Sequence, residues 1–131
     1  MILLDTHALI WWLLEPARLS RRAASVIRRA RRGGGLAIAA MTLWEVAAMF
    51  ARGQIVPRGG VEASLRDLIK ESGAEVKPIT TEIAVLATQF PEDFPHDPAD
   101  RLIAATARAE GMALVTRDER LRRSPLLKTV W

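Results

Sequence analysis

The sequence predicts an α/β fold of three layers, in which helices cover both faces of a mostly parallel central sheet of about five strands. Two observations lead to this prediction. Short, uninterrupted apolar runs such as Leu36-Ala37-Ile38-Ala39-Ala40 are typical of strands buried on both faces. Between these runs apolar residues recur at helical spacing, and strands that alternate with helices form parallel sheets. We expect residues 1–131 to form a single domain.

Five segments have the composition of strands, and they lie at residues 2–4, 36–40, 75–79, 113–116 and 127–131. Pro78 lies in the third segment and cannot donate a ladder hydrogen bond. We therefore expect that segment at a sheet edge, or ending near the proline.

Apolar residues at helical spacing predict six helices, at 7–14, 19–30, 42–52, 61–72, 80–89 and 97–110. In the last helix Asp97 is expected as N-cap and Pro98 as the first helical residue. In the third, Thr42 and Glu45 have the spacing of a capping box.

The composition fits a globular protein, with half of the residues hydrophobic and about a quarter charged. The absence of cysteine excludes disulfides and thiolate zinc sites and fits a reducing cytoplasm. The first five residues lack a basic region and reach Asp5 at once, so they do not form a signal peptide. The longest apolar run, 8–14, is too short to span a membrane. A cytoplasmic protein without a membrane segment is expected.

The basic residues are sixteen arginines and only three lysines, and the net charge is +4. Because the guanidinium fork matches phosphate geometry, a polyanionic partner is plausible. A GC-rich genome would produce the same bias. On the second helix, arginines cover the outer face between Arg18 and Arg32; this is either a solvated face or a surface for the phosphates of a polyanion.

Four carboxylates have positions that would bring them together. Asp5 and Asp118 each end a predicted strand, and Glu45 and Asp100 each lie in the first turn of a predicted helix. In parallel sheets, ligands bind beyond the carboxyl ends of the strands. Asp100 is also expected to face inward with Ile103, and such a carboxylate is costly to bury without a cation. Capping alone by Asp97 and Asp100 would be the simpler account of the helix start.

Clustered carboxylates repel one another, and a divalent cation removes that penalty. Oxygen ligands without cysteine suit Mg²⁺ or Mn²⁺ rather than zinc. Together with the arginines, such a site favours hydrolysis of a phosphodiester by a metal-activated water.

Four segments resemble the motifs of the PIN-domain ribonucleases, in the family's order and spacing. They are Ile2-Leu3-Leu4-Asp5-Thr6-His7, Thr42-Leu43-Trp44-Glu45-Val46-Ala47, residues 97–107 around Asp97-Pro98-Ala99-Asp100-Arg101, and Leu114-Val115-Thr116-Arg117-Asp118. Within that family, the sequence is most similar to the VapC toxins of bacterial VapBC toxin–antitoxin pairs. The resemblance extends over essentially the whole chain.

This resemblance implies a PIN fold and an endoribonuclease that depends on Mg²⁺ or Mn²⁺. Asp5, Glu45, Asp100 and Asp118 match the family's four catalytic, metal-binding acids. The substrate would be tRNA, rRNA or mRNA, the partner a VapB-type antitoxin, and the assembly a homodimer. Thr6 and Thr116 match positions where the family places hydroxyls near the acids, and they are interpreted as substrate-binding.

Other residues carry weaker signals. Arg101 and Arg117 are interpreted as substrate-binding, while the pair Glu119 and Arg120 carries no functional signal. His7 and His96 are expected to be caps, core or surface residues rather than ligands. We expect the large apolar side chains to lie mainly in the core; they are Trp11, Trp12, Trp44, Met49 and Phe50. Alternatively, one or two of the tryptophans lie in a dimer or antitoxin groove.

Two alternatives to the nuclease stay open. A phosphatase would use Asp5 as nucleophile, but Asp5-Thr6-His7 lacks the second aspartate of such sites. A catalytically silent RNA- or partner-binding module would keep the fold, but it gains nothing from clustered acids that face a polyanion.

Overall fold

The computed structural model describes residues 1–131 and contains one five-stranded sheet in which every neighbouring pair is parallel. The strands are β1 (Ile2–Leu4), β2 (Leu36–Ala39), β3 (Glu75–Lys77), β4 (Ala113–Val115) and β5 (Thr129–Val130). Their order across the sheet is β3-β2-β1-β4-β5. The predicted α/β class, the strand count and the parallel sheet are confirmed.

β1 occupies the centre of the sheet. The chain adds β2 and then β3 on one side of β1, and β4 and then β5 on the other. Leu4 pairs with Ile38 of β2 on one side and with Val115 of β4 on the other. This is the point at which the strand order reverses, and in open parallel sheets the crevice beyond such a point is where ligands bind. β3 is an edge strand that ends at Lys77, directly before Pro78, as predicted.

Seven helices connect or flank the strands, together with a short 3-10 turn at Pro16–Arg18. They are α1 (Thr6–Leu14), α2 (Arg21–Arg32), α3 (Ala40–Ala51), α4 (Val61–Ser72), α5 (Thr81–Ala87), α6 (Pro98–Glu110) and α7 (Glu119–Arg122). The six predicted helices are present, whereas α7 and the 3-10 turn are too short to show a period in the sequence.

The two faces of the sheet carry separate hydrophobic cores. Leu3 packs with Ile83 and Ile103 under α5 and α6, whereas Leu4 packs with Ile27 and Val46 under α2 and α3. Successive residues of a strand point to opposite faces, so β1 contributes to both cores. This produces the three predicted layers.

The structure corrects one expectation about the aromatic residues. Phe50 is buried and Trp11 and Trp12 are half-buried against the α2–α3 core, but Trp44 is 63% exposed. Trp44 lies two residues before the buried Val46, which places it on the opposite side of α3. None of the helices combines the length and the apolarity that crossing a bilayer requires.

Candidate active site

The four predicted acids lie at the carboxyl edge of the central strands. Asp5 directly follows β1 and caps α1, and Asp118 follows β4 and caps α7. Glu45 lies on α3 and Asp100 in the first turn of α6. The parallel pairing of β1 with β2 and β4 brings residues from distant parts of the chain to one edge.

Asp5 is the most buried of these acids, with 4% of its surface exposed. Its Oδ1 accepts a hydrogen bond from the Thr6 backbone N–H at 2.8 Å, and its Oδ2 accepts one from the Thr116 hydroxyl at 2.6 Å. The same Thr116 oxygen accepts the backbone N–H of Asp118 at 3.1 Å. One fully buried hydroxyl therefore joins Asp5 to Asp118.

His7 lies beside this carboxylate. The Arg117 backbone N–H donates to His7 Nε2 at 3.1 Å, so the proton of a neutral imidazole is on Nδ1. That nitrogen lies 3.6 Å from Oδ2 of Asp5. His7 is thus oriented toward the acid from outside the core. His96, in contrast, accompanies Glu92 on the surface.

A second hydroxyl holds Glu45. Thr6 Oγ1 donates to Oε1 of Glu45 at 2.6 Å, and the Thr42 hydroxyl lies 3.0 Å from the same Thr6 oxygen. Burial raises the pKa of Glu45; the Thr6 hydrogen bond lowers it, and the charges of Asp5 and Asp97 raise it further. The carboxyl is therefore close to other acids and is held by Thr6.

This arrangement overturns the capping-box interpretation of Thr42 and Glu45. α3 begins at Ala40, its N-cap is Ala39, and no side chain caps it. Thr42 is already inside the helix, where its side chain is fully buried and contacts Thr6 instead of a backbone N–H.

Asp100 is the acid whose proton affinity changes most. Its side chain is 17% exposed. Burial raises its pKa to about 7, with further increases from the charges of Asp97, Asp5 and Asp118 and an opposing effect of Arg120. The carboxylates are therefore near enough to repel one another, as predicted for a cluster. Asp97 itself caps α6 by accepting the Ala99 backbone N–H at 3.0 Å, which confirms its predicted capping role.

Arg120 is the residue that sequence reasoning missed. Its Nη2 lies 2.9 Å from Oδ2 of Asp118 and 3.4 Å from Oδ2 of Asp100. For Asp118, burial raises the pKa, but the hydrogen bonds and charge of Arg120 outweigh it, and the pKa falls below its ordinary value. The position of Arg120 two residues after an N-cap aspartate was the only local sign of this contact.

The two predicted substrate-binding threonines, Thr6 and Thr116, are both buried and hold carboxylates. Arg101 donates from Nε to the Pro95 carbonyl at 2.8 Å and so fastens the loop before α6. Arg117 is exposed, and its guanidinium carbon lies 5.7 Å from the centre of the Trp11 ring.

The donor chemistry of the cluster suits a hard divalent cation, because every candidate ligand is a carboxylate oxygen. Burial is the main cause of the raised pKa of Asp100, and the charges of Asp97, Asp5 and Asp118 add to it, while Arg120 opposes it. In the present side-chain arrangement, no three His, Cys, Asp or Glu residues are positioned to hold one ion together. The acids are bound instead to Thr6, Thr116 and Arg120, so holding an ion requires side-chain movement, most simply of the exposed Arg120.

Two comparisons with known proteins match nearly the whole chain. A family model described as PIN domain matches residues 2–125. Ribonuclease VapC22 of Mycobacterium tuberculosis is 41% identical over 132 residues, an alignment that covers 99% of this chain and 98% of the relative.

Solved structures show the same fold at lower identity. VapBC2 from Rickettsia felis, bound to a DNA fragment from its promoter, has a TM-score of 0.74 at 18% identity, covering 98% of this chain and 97% of that one. VapBC from Salmonella typhimurium, bound to DNA, has a TM-score of 0.71 at 21% identity, with the same two coverages. With four acids at the carboxyl edge of a parallel sheet, and with a family match over nearly its whole length, the chain belongs to the PIN-domain family and, within it, to the VapC proteins.

Proposed function

We propose that this protein is a metal-dependent endoribonuclease that acts as the toxin of a VapBC toxin–antitoxin pair in the cytoplasm. The observation that carries the proposal is the gathering of Asp5, Glu45, Asp100 and Asp118 at one edge of the sheet, where their charges act on one another. The naming of the Mycobacterium tuberculosis relative as a ribonuclease supports the activity.

In this proposal the four acids hold Mg²⁺ or Mn²⁺. When bound, the ion lowers the pKa of a water and stabilises charge on a phosphodiester. Thr6 and Thr116 keep Glu45 and Asp5 in place through hydrogen bonds of 2.6 Å each. These hydrogen bonds limit the movement of Glu45 and Asp5, so the rearrangement that the ion requires falls mainly on the exposed Arg120.

Two arginines that are close to the acid cluster in sequence are the candidates to contact the RNA. Arg117 is exposed directly after Thr116, and Arg101 lies one residue after Asp100. Arg117 makes no ion pair or side-chain hydrogen bond and lies only near the Trp11 ring, whereas Arg101 is engaged with the loop carbonyls of Pro95 and Phe94. Arg117 is therefore the stronger candidate of the two for direct contact with tRNA, rRNA or mRNA.

The activity is tested with purified protein, freed of any antitoxin, and a structured RNA. Cleavage is expected with Mg²⁺ or Mn²⁺, and it should stop when EDTA is added and resume when the metal is restored. Asp5→Asn, Glu45→Gln, Asp100→Asn and Asp118→Asn should each reduce cleavage while preserving the fold, whereas the exposed loop variant Asp93→Asn should cut like the wild type. Cleavage that persists in EDTA would exclude the metal mechanism, and RNA binding without any cleavage would favour the silent binding module.

The partner assignment is a second part of the proposal. The structural neighbours include VapBC complexes, which supports a VapB-type antitoxin for this chain. The homodimer is proposed from the resemblance to the VapC toxins alone. Co-expression with the product of a small adjacent gene should yield a complex that does not cut RNA. Light scattering on the separated toxin should give twice the chain mass; a monomeric mass would contradict the homodimer.

A further inference from the structure

We propose that a cavity beside the acid cluster binds one unpaired nucleotide of the RNA, next to the bond that is cut. The cavity has a volume of about 360 Å³. It is lined by Arg22, Glu119, Arg122, Arg123, Thr129 and Trp131, and we call it the Trp131 cavity. The inference rests on the proposed ribonuclease function and names a site for part of its substrate.

The charge of the Trp131 cavity suits a phosphate. Three of its lining residues are arginines, and the single acid, Glu119, is paired with Arg123 at 3.4 Å. Arg22 and Arg122 are exposed and make no ion pair or side-chain hydrogen bond within the protein. Two uncommitted guanidinium groups therefore face one small volume, and guanidinium groups bind phosphate in a fork geometry.

The aromatic side of the cavity suits a base. Trp131 is half-buried, and its indole meets the rings of Trp11 and His7 at interplanar angles of 61° and 71°. Because neither neighbour stacks flat on Trp131, the indole is not already paired face to face. Unpaired bases stack on such rings, and the volume is of the order that a mononucleotide needs.

The cavity is connected to the acids by direct contacts. His7 Nδ1 lies 3.6 Å from Oδ2 of Asp5, and the His7 ring centre lies 6.4 Å from that of Trp131. Glu119 of the cavity is the neighbour in sequence of Asp118. Only the His7 side chain would thus separate a nucleotide held on Trp131 from Asp5. We infer that such a nucleotide is next to the bond that is cut.

Binding is measured by fluorescence anisotropy with a short fluorescein-labelled single-stranded RNA, in the Asp100→Asn background and with Mg²⁺ so that the RNA stays intact. Arg22→Gln/Arg122→Gln should weaken binding at least about tenfold. It should also reduce the slope of log K against log salt by about 0.7, the contribution of one neutralised phosphate on a single strand. Trp131→Ala should weaken binding of the single strand about fivefold or more, and should leave binding of the corresponding RNA duplex unchanged. The charge-matched control Arg52→Gln/Arg58→Gln removes two exposed arginines outside the cavity and should change affinity less than about twofold.

The outcomes separate this inference from the function on which it rests. If the wild type cuts RNA with Mg²⁺ but the cavity and control variants bind alike, the Trp131 cavity is overturned and the nuclease stands. A different result would overturn the nucleotide site: the arginine variant binds the single-stranded RNA more weakly, Trp131→Ala binds it normally, and poly-glutamate competes as well as RNA does. The cavity would then be a surface for an acidic protein. If the wild type neither cuts nor binds RNA, both proposals fail.

Discussion

The Thr116 hydroxyl donates a hydrogen bond of 2.6 Å to Oδ2 of Asp5, although 111 positions separate the two residues in the chain. Both side chains are buried, and the same hydroxyl oxygen accepts the Asp118 backbone N–H. Thr116 therefore fixes the position of one acid and the turn that leads to another.

Replacing Thr116 by valine should test this role, because valine preserves the shape and removes the hydroxyl. Leaving the Asp5 carboxylate and the Asp118 N–H without this partner should cost about 1–3 kcal/mol of stability. The cleavage rate should fall about tenfold or more, since each increase of about 1.4 kcal/mol in the activation free energy slows a reaction tenfold. Urea unfolding and single-turnover cleavage measure the two effects.

Thr116→Ser should restore most of both quantities. The control is Thr106→Val, another buried threonine, whose hydroxyl bonds only to the Leu102 carbonyl of its own helix. Equal losses of activity at Thr116 and Thr106 would show that Thr116 acts through general packing.

The metal-free protein should lose stability as the pH rises toward neutrality. The pKa of Asp100 is about 7 in the folded protein against an ordinary value of 3.8, so the folded state retains a proton that the unfolded chain releases. Stability therefore falls between those two values, by an amount on the order of a few kcal/mol. Asp100→Asn removes this penalty and should melt above the wild type, with a difference that grows from about pH 5 to about pH 8.

Thermal melts in EDTA across this range measure the effect, with Asp93→Asn as an exposed control. A lower melting temperature for Asp100→Asn at every pH would show that the carboxylate acts as a helix cap and not as a repelled member of a cluster. Added Mg²⁺ should stabilise the wild type more than the variant.

Arg120 should compete with the metal ion. Its guanidinium contacts Asp118 and Asp100, and it is 61% exposed. Exposed ion pairs are worth up to about 1 kcal/mol, so Arg120→Gln should lower the Mg²⁺ concentration for half-maximal cleavage by up to about fivefold. Arg66→Gln removes another exposed arginine, which pairs with Glu62 away from the acids, and should leave that concentration unchanged. A higher Mg²⁺ requirement in Arg120→Gln would mean that Arg120 positions the acids for the ion.

Asp97→Asn should separate capping from ligation. Asparagine is as good an N-cap as aspartate, so α6 should retain its stability to within about 0.5 kcal/mol. If Asp97 only caps, cleavage should remain near the wild-type rate, as measured under the same conditions as Asp100→Asn. An equal loss in the two variants would make Asp97 a metal ligand.

Much of this site was predictable because it follows from strand ends. Asp5 and Asp118 are recognisable as acids that close buried strands, and the parallel sheet then brings them to one edge. The start of α6 was equally predictable, because Asp97 and Pro98 are local signals of a helix terminus.

The remaining features depend on contacts between distant residues. Thr42 has the spacing of a cap, but a buried contact with Thr6 outweighs that local preference, and α3 begins two residues earlier. Arg120 meets Asp100 across twenty positions from a helix of four residues, so no periodicity marks it. The exposure of Trp44, in contrast, could have been predicted from its spacing of two residues to Val46, which places the two side chains on opposite sides of a helix.

The central position of β1 in the sheet has a consequence for the timing of assembly. Asp5, the first acid of the cluster, is synthesised 111 positions before its hydroxyl partner Thr116, and the strand β4 is made just before Thr116. A nascent chain cannot close β4 onto β1 before those residues have left the ribosome. The acids can therefore assemble only after the ribosome has synthesised all of the intervening chain between Asp5 and Thr116.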